Sequence, residues 1–264
     1  MSLCLRLLGT GSSGGVPRLH GGWGLCDPDN PKNHRTRCSL LVSQIQDDQK
    51  TQILIDTSPD MRQQLLQAQV QWLDAVLFTH DHADQTHGID DLRPLVYGNR
   101  KRIKVFMDEA TAATMNKRFG YCFEQVSTTY PSILEDNRIT TPYAPLVVAG
   151  AGGAIEALPF RVHHGDIEAL GFRIGNIAYT PDLNGLPEES HAALAGLDCW
   201  IIDALRRDEH PTHLSLEAAL KLIETFSPKQ AILTNMHIDM DYETLCKELP
   251  PHIRPAYDGM ELLF

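Results

Sequence analysis

The chain has 264 residues, 42% of them apolar and 22% charged, and carries a formal net charge of −11. That length suffices for one large α/β domain with a full core, and no run approaches the ~18 apolar residues of a membrane helix. The negative balance excludes broad, unspecific attraction to nucleic acid, which needs a basic surface.

The predicted elements begin with strands at Leu3–Leu8, Cys38–Val42 and Gln52–Ile55. The N-terminus reads as the first of these strands, since it lacks the basic region and long apolar stretch of a signal peptide. Six cysteines occur without a C-x-x-C pair, several of them in apolar, strand-like runs, which points to a reducing, cytoplasmic compartment. Ser58-Pro59-Asp60 combines a capping serine, a proline at the first helical position and an acid in the first turn. It predicts a helix running to about Val70. Asp74–Phe78 is a short apolar strand that ends at Thr79-His80-Asp81-His82. Arg102–Phe106 follows as a strand, overlapping the densest basic patch (Arg100, Lys101, Arg102, Lys104), which reads as a solvated edge or turn. Asp108 is placed to cap a helix ending near Gly120.

Residues 121–144 have weak periodicity and read as a lid. Strands are then expected near 145–149, 154–157, 170–174 and 176–180, and a helix after Pro187. Asp198–Asp203 is a buried strand, Ser215 caps a helix over Leu216–Phe226, and Gln230–Thr234 is another strand. A last helix covers about Tyr242 to Leu249. Strands and helices interleave without repeat or linker, which predicts an α/β chain forming one domain over 1–264, with two sheets flanked by helices.

Three ligand-type residues stand at alternate positions directly after the strand ending at Phe78: His80, His82 and Asp84. In extended or turn geometry alternate side chains point the same way, so the two imidazoles can converge on one ion and the carboxylate can take a neighbouring one. Imidazole and carboxylate suit zinc, manganese or iron. Further candidates sit at other strand ends: His163 and His164, Asp182 after Thr180-Pro181, and His237 in Thr234-Asn235-Met236-His237. Active sites of α/β folds are commonly assembled from several strand ends.

These residues make the chain resemble the metallo-β-lactamase superfamily, whose signature is H-x-H-x-D-H. The resemblance extends over Leu8-Gly9-Thr10-Gly11, Leu54-Ile55-Asp56, Asp182-Leu183-Asn184-Gly185-Leu186-Pro187 and Tyr257-Asp258-Gly259-Met260-Glu261. It is nearest to the branch containing the phosphoribosyl cyclic phosphate phosphodiesterase and the tRNA 3′-processing endonucleases. The resemblance implies a four-layer αββα sandwich. It implies two divalent ions, zinc or manganese, with His80, His82 and His164 on the first, Asp84 on the second and Asp182 bridging. It makes His213 a group beside the substrate phosphate, and Asp56 and Asp258 orienting groups behind the ligands.

Two departures fall on the second ion. Gln85 stands where the family has histidine and would offer an amide oxygen. Asn235 stands at another ligand position, with His237 as a possible replacement. The second site is therefore expected to be weak. The relative's structural zinc near residue 26 is not expected, because Cys26 stands there alone.

Gly9-Thr10-Gly11-Ser12-Ser13-Gly14 satisfies G-x-G-x-x-G after a strand, but Val16-Pro17 follows instead of a helix. The expected role of this loop is to turn backbone amides, with Ser12 and Ser13, toward a substrate phosphate. The function implied is a metal-dependent phosphodiesterase acting on a small cyclic phosphate or nucleotide-like diester through a metal-bound hydroxide. Asp84, Asp182 and His213 would be catalytic, with no membrane and no extended nucleic acid as partner. The rival readings are a tRNase Z-like endonuclease, a mononuclear iron oxidoreductase on the same fold, and a nucleotide-binding protein without turnover.

Overall fold

A computed structural model describes residues 2–125 and 127–264. The first half of the chain runs β1 (Ser2–Gly9), β2 (Ser39–Gln46), β3 (Gln49–Ile55), α1 (Met61–Gln67), β4 (Ala75–Leu77), α2 (Ala83–Thr86), α3 (Arg93–Asn99), β5 (Ile103–Met107), α4 (Glu109–Phe123) and β6 (Leu134–Arg138). The second half runs β7 (Leu146–Gly150), β8 (Gly153–His164), β9 (Ile167–Ile174), β10 (Ile177–Thr180), β11 (Cys199–Asp203), α5 (Leu216–Phe226), β12 (Gln230–Thr234), α6 (Tyr242–Glu248), β13 (Ile253–Pro255) and β14 (Met260–Leu263).

The strands form two seven-stranded sheets, ordered β14-β1-β2-β3-β4-β5-β6 and β13-β12-β11-β10-β9-β8-β7. Each sheet has an antiparallel part that passes into a parallel run, β3 to β6 in one and β10 to β13 in the other. The period-2 rule assigns the layers. Ile53, Ile55, Ala75 and Leu77 point into the core shared with the second sheet, where Phe160, Val162 and Phe172 meet them. Their neighbours Leu54, Val76 and Phe78 point the other way, onto Met61 and Leu65 of α1, Val96 of α3, and Ala112 and Met115 of α4. Leu216, Ala219 and Ile223 of α5 and Leu245 of α6 extend the central core over the second sheet. Helix, sheet, sheet, helix is the expected four-layer order.

Two expectations are corrected. The helix after Ser58 starts at Met61, because the Ser58 hydroxyl takes the Asp60 N–H and its carbonyl takes the Met61 N–H, a turn that precedes the helix. The segment after Pro187 is a 3-10 helix, Glu188–Leu194. The segment expected as a lid, 121–144, supplies the end of α4 and the parallel edge strand β6; residue 126 within it lies outside the described residues. Its Gln125, Pro131 and Ser132 line a pocket with Tyr97 and Arg100–Arg102, including part of the basic patch.

Near Cys26, the buried Arg35 guanidinium donates to the Met240 carbonyl (2.7 Å), to Asn33 Oδ1 (3.3 Å) and to Cys26 Sγ (3.7 Å). It ties the loop after β1 to the loop before α6. Among the described residues Cys26 joins no group of three metal-ligating side chains.

Candidate metal centre

β4 ends at Leu77, and the chain leaves it extended, so His80 and His82 follow as alternate residues before α2 opens at Ala83. β8, twelve residues long, carries His164 as its last residue to the same place. His80, His82 and His164 offer ligand atoms that lie within 4.8 Å of one another. Their ring centroids are 4.5, 5.0 and 5.0 Å apart. His82 Nδ1 and His164 Nε2 stand 3.2 Å apart. Two nitrogens at the usual Zn–N length of ~2.0–2.1 Å on a tetrahedral ion are roughly 3.3 Å apart.

Neighbours fix which nitrogen is free. His164 Nδ1 donates to the Thr212 carbonyl at 2.7 Å, which leaves the Nε2 lone pair for a ligand. His80 Nδ1 lies 2.9 Å from the Thr79 hydroxyl, which in turn lies 2.9 Å from Asp56 Oδ2. With Asp56 ionised, the Thr79 hydroxyl donates to the carboxylate and accepts from His80 Nδ1–H. His80 Nε2 is then buried with a lone pair and no partner, an orphan that a cation would satisfy. Burial pushes His80 well below the ordinary histidine value and His164 down to about 4, so both are neutral, as ligands must be.

Carboxylates gather on the other side. Asp182, just past β10, and Asp203, the last residue of β11, are buried, and burial pushes both upward. Burial likewise pushes Asp56 up to about 8. So many buried carboxyls mark a site that a cation would hold ionised. His213 Nδ1 lies 2.9 Å from Asp203 Oδ2 and 3.6 Å from Asp182 Oδ1. Burial works against its charged form, but the Asp203 hydrogen bond and the charges of Asp203, Asp182 and Asp84 outweigh it and raise His213 to about 9.

The pocket over these groups measures about 190 Å³ and is lined by Ser12, Ser13, Arg18, His82, Asp84, His164, Asp182, Arg206, His210 and His213, among others. The fold thus brings His80, His82, His164, Asp182 and His213 together, with Asp84, Ser12 and Ser13 on the pocket wall. Asp84 belongs to neither group of converging ligand atoms. Gln85 turns its Nε2 to Asp182 Oδ2 at 2.9 Å. His237 reaches the pocket but not the ligands: its Nε2 pairs with Arg18 and its Nδ1 with Asp239 at 3.2 Å.

One further expectation needs correction. Asp258 does not back a histidine: it accepts from Thr10 Oγ1 and from the Thr36 N–H and hydroxyl, and so pins loops. In the glycine loop, two of the backbone amides are already engaged. Gly11 N–H and Ser12 N–H are committed to the Thr36 and Met236 carbonyls, and a Cβ at Gly9 would stand 1.9 Å from the Arg37 carbonyl. Gly9 and Gly11 serve close backbone packing, and the loop presents the Ser12 hydroxyl, which is buried without a partner. The sequence reading missed Asp203, Thr79, Arg18 and Arg206. Asp203 carried the same signal as Asp182, a carboxylate at the end of an apolar strand.

Comparison with known proteins agrees with this geometry. The family described as the β-lactamase superfamily domain matches residues 51–238. The crystal structure of a diphosphatase of the PhnP family superposes with a TM-score of 0.89 at 32% identity, covering 100% of this chain and 98% of that one. Zn²⁺-bound PqqB from Methylobacterium extorquens superposes with a TM-score of 0.76 at 18% identity, over 98% and 99% of the two chains, which speaks to fold alone. A Porphyromonas gingivalis protein named octanoyltransferase is 34% identical over 260 residues, 97% of this chain; the chain spans only 51% of that protein's length.

Proposed function

The chain belongs to the β-lactamase superfamily, and from that premise we propose that this metal-dependent hydrolase cleaves a small phosphodiester, such as a cyclic phosphate or a nucleotide-like diester, or a related diphosphate linkage. The observation that carries the reading is the meeting of three convergent imidazoles with cationic side chains around one small pocket. The donor set suits zinc or manganese, which would lower the pKa of a bound water and offset charge on the phosphoryl oxygens.

The protein's own groups divide the remaining work. Arg18, Arg206 and the Ser12 hydroxyl line the wall where phosphate oxygens would be held. His213, kept protonated and aimed by Asp203, is the group to donate a proton to the leaving oxygen. Asp182 stands with Asp203 beside His213 Nδ1 and completes the carboxylate wall. The pocket of about 190 Å³ holds a phosphate group, and a larger cavity of about 990 Å³ shares its Ser13, Arg18 and Asp84 wall and leaves room for the rest of a small substrate; the acidic chain favours such a substrate over a nucleic-acid strand. All six cysteines are free, which supports the cytoplasmic assignment.

The octanoyltransferase name belongs to a protein about twice as long. The imidazole and carboxylate pocket here gives no reason to assign acyl transfer to this half.

The test is hydrolysis of bis(p-nitrophenyl) phosphate and of small cyclic nucleotides and diphosphates by the zinc- or manganese-loaded chain. Turnover that His80→Ala abolishes is expected. Inertness toward all of them, or preferential cleavage of a precursor tRNA, would sink the small-substrate reading.

A further inference from the structure

The family resemblance implies two ions, and the residues present fit only one of them. We infer that this chain holds a single ion, at the three histidines, and that the side-chain amides of Gln85 and Asn235 take the place of a second. The inference rests on reading His80, His82 and His164 as ligands.

Asp182 would have to bridge the two ions, yet each of its oxygens already has a buried amide donor. Gln85 Nε2 donates to Oδ2 at 2.9 Å and Asn235 Nδ2 donates to Oδ1 at 3.1 Å. Both amides are essentially without solvent exposure, at 0% and 1%. Their orientation is dictated by neighbours. Asn235 Nδ2 also lies 3.3 Å from Asp203 Oδ1, so turning the amide over would press its oxygen against two carboxylates. Turning Gln85 over would do the same to Asp182. An amide N–H carries partial positive charge and no lone pair for a metal. The two groups therefore supply part of the charge that a second cation would bring and occupy its direction of approach.

The remaining donors do not make a second site. Asp84 converges with neither group of ligand atoms. His237 is paired with the Arg18 guanidinium, a cation that disfavours another beside it, and with Asp239. The second cluster of ligand atoms, His164, Asp182 and His213, shares His164 with the first. His164 Nδ1 is committed to Thr212, so its one free nitrogen serves one ion. Gln85 Oε1, buried without a partner, is the sole acceptor left on the amide pair. One neutral oxygen and Asp84 are a poor cage beside three imidazoles. The two substitutions also act together: each would leave Asp182 half satisfied without the other.

The experiment is metal stoichiometry of the full chain, by native mass spectrometry and elemental analysis after loading with excess zinc or manganese and gel filtration. The wild type is expected to retain one ion per chain, and Asp84→Ala to retain the same. The double variant Gln85→His with Asn235→His is expected to rise toward two. Two ions on the wild type, with one lost in Asp84→Ala, would overturn the inference. A folded double variant that stays at one would overturn the role given to the amides. No ion at all would bring down the three-histidine reading beneath it. None of these outcomes depends on turnover, so an inert protein with one ion would sink the proposed activity and leave the stoichiometry standing.

Discussion

Asp203 has no exposed surface, and its two oxygens serve three groups: His213 Nδ1 at 2.9 Å, the Leu183 N–H at 3.2 Å and Asn235 Nδ2 at 3.3 Å. It touches no candidate metal nitrogen, so it acts through His213, as a positioning residue. Asp203→Asn keeps the volume and removes the charge that holds His213 protonated. Phosphodiester turnover is expected to fall by roughly 10²–10⁴, the usual contribution of a general acid, with KM little changed and the bound metal retained. A loss of metal in parallel with activity would move Asp203 to a structural role. At this scale the legible residues were those that a short motif carries. His80 and His82 are spaced in sequence as they are aimed in space, while Asp84 lines the pocket without converging on their nitrogens. Asp203 shows in sequence only as a carboxylate ending an apolar strand, and its role comes from His213, ten residues on; that of Thr79 comes from linking His80 to the distant Asp56.

Helix caps were the element-scale features most faithfully written in the chain. Asp108, Ser215 and Asp241 each accept the N–H three residues on, and the helices over 109–123, 216–226 and 242–248 begin there. Asp241 does more than cap. Burial opposes its ionisation, but the Thr244 N–H and hydroxyl, the Asn33 amide and the Asp27 N–H outweigh burial and hold it down to about 2. A depressed folded-state pKa stabilises the fold fully above the ordinary aspartate value of ~3.9 and ceases to do so as the pH falls through about 2. Asp241→Ala is expected to cost about 1–2 kcal/mol at pH 7, and the gap to the wild type should close between pH 4 and 2, followed by denaturant melts. A gap independent of pH would mean that the cost is packing alone. The false start at Ser58 has the same chemistry as a true cap: its hydroxyl takes an N–H two residues on and makes a turn, and only the path of the chain distinguishes the two.

Across the whole molecule, the parallel runs of the two sheets bring β4, β10, β11 and β12 to end near one crevice. It receives His80, Asp182, Asp203 and Asn235 from their C-terminal ends, and His164 from β8. This crevice joins halves that are far apart in sequence, so anything bound there links the sheets. Removing the ion with a chelator is expected to lower Tm by roughly 5–10 °C, since a ligand at 100 times its Kd adds about 2.7 kcal/mol, and zinc or manganese should restore it. An unchanged Tm would count against a resident ion. Arg35 is the second link between distant segments. Arg35→Leu leaves the Met240 carbonyl without its Arg35 donor, while Asn33 Oδ1 keeps the Tyr242 N–H, and is expected to cost about 3 kcal/mol in thermal or denaturant melts, with metal content unaffected. A cost under about 0.5 kcal/mol would show that the guanidinium is dispensable.

The sequence by itself determined the α/β class, most of the strand and cap positions, and the motif from His80 to Asp84, because each depends on periodicity or on contacts within a few residues. It also marked Gln85 and Asn235 as departures. Tertiary structure alone decided what those departures do. Gln85 comes from α2, and Asp182 and Asn235 from just past β10 and β12, and whether an amide turns its oxygen to a metal or its nitrogen to a carboxylate depends on the groups that face it. The same holds for His237, which the sequence could offer as a ligand but which Arg18 and Asp239 hold elsewhere.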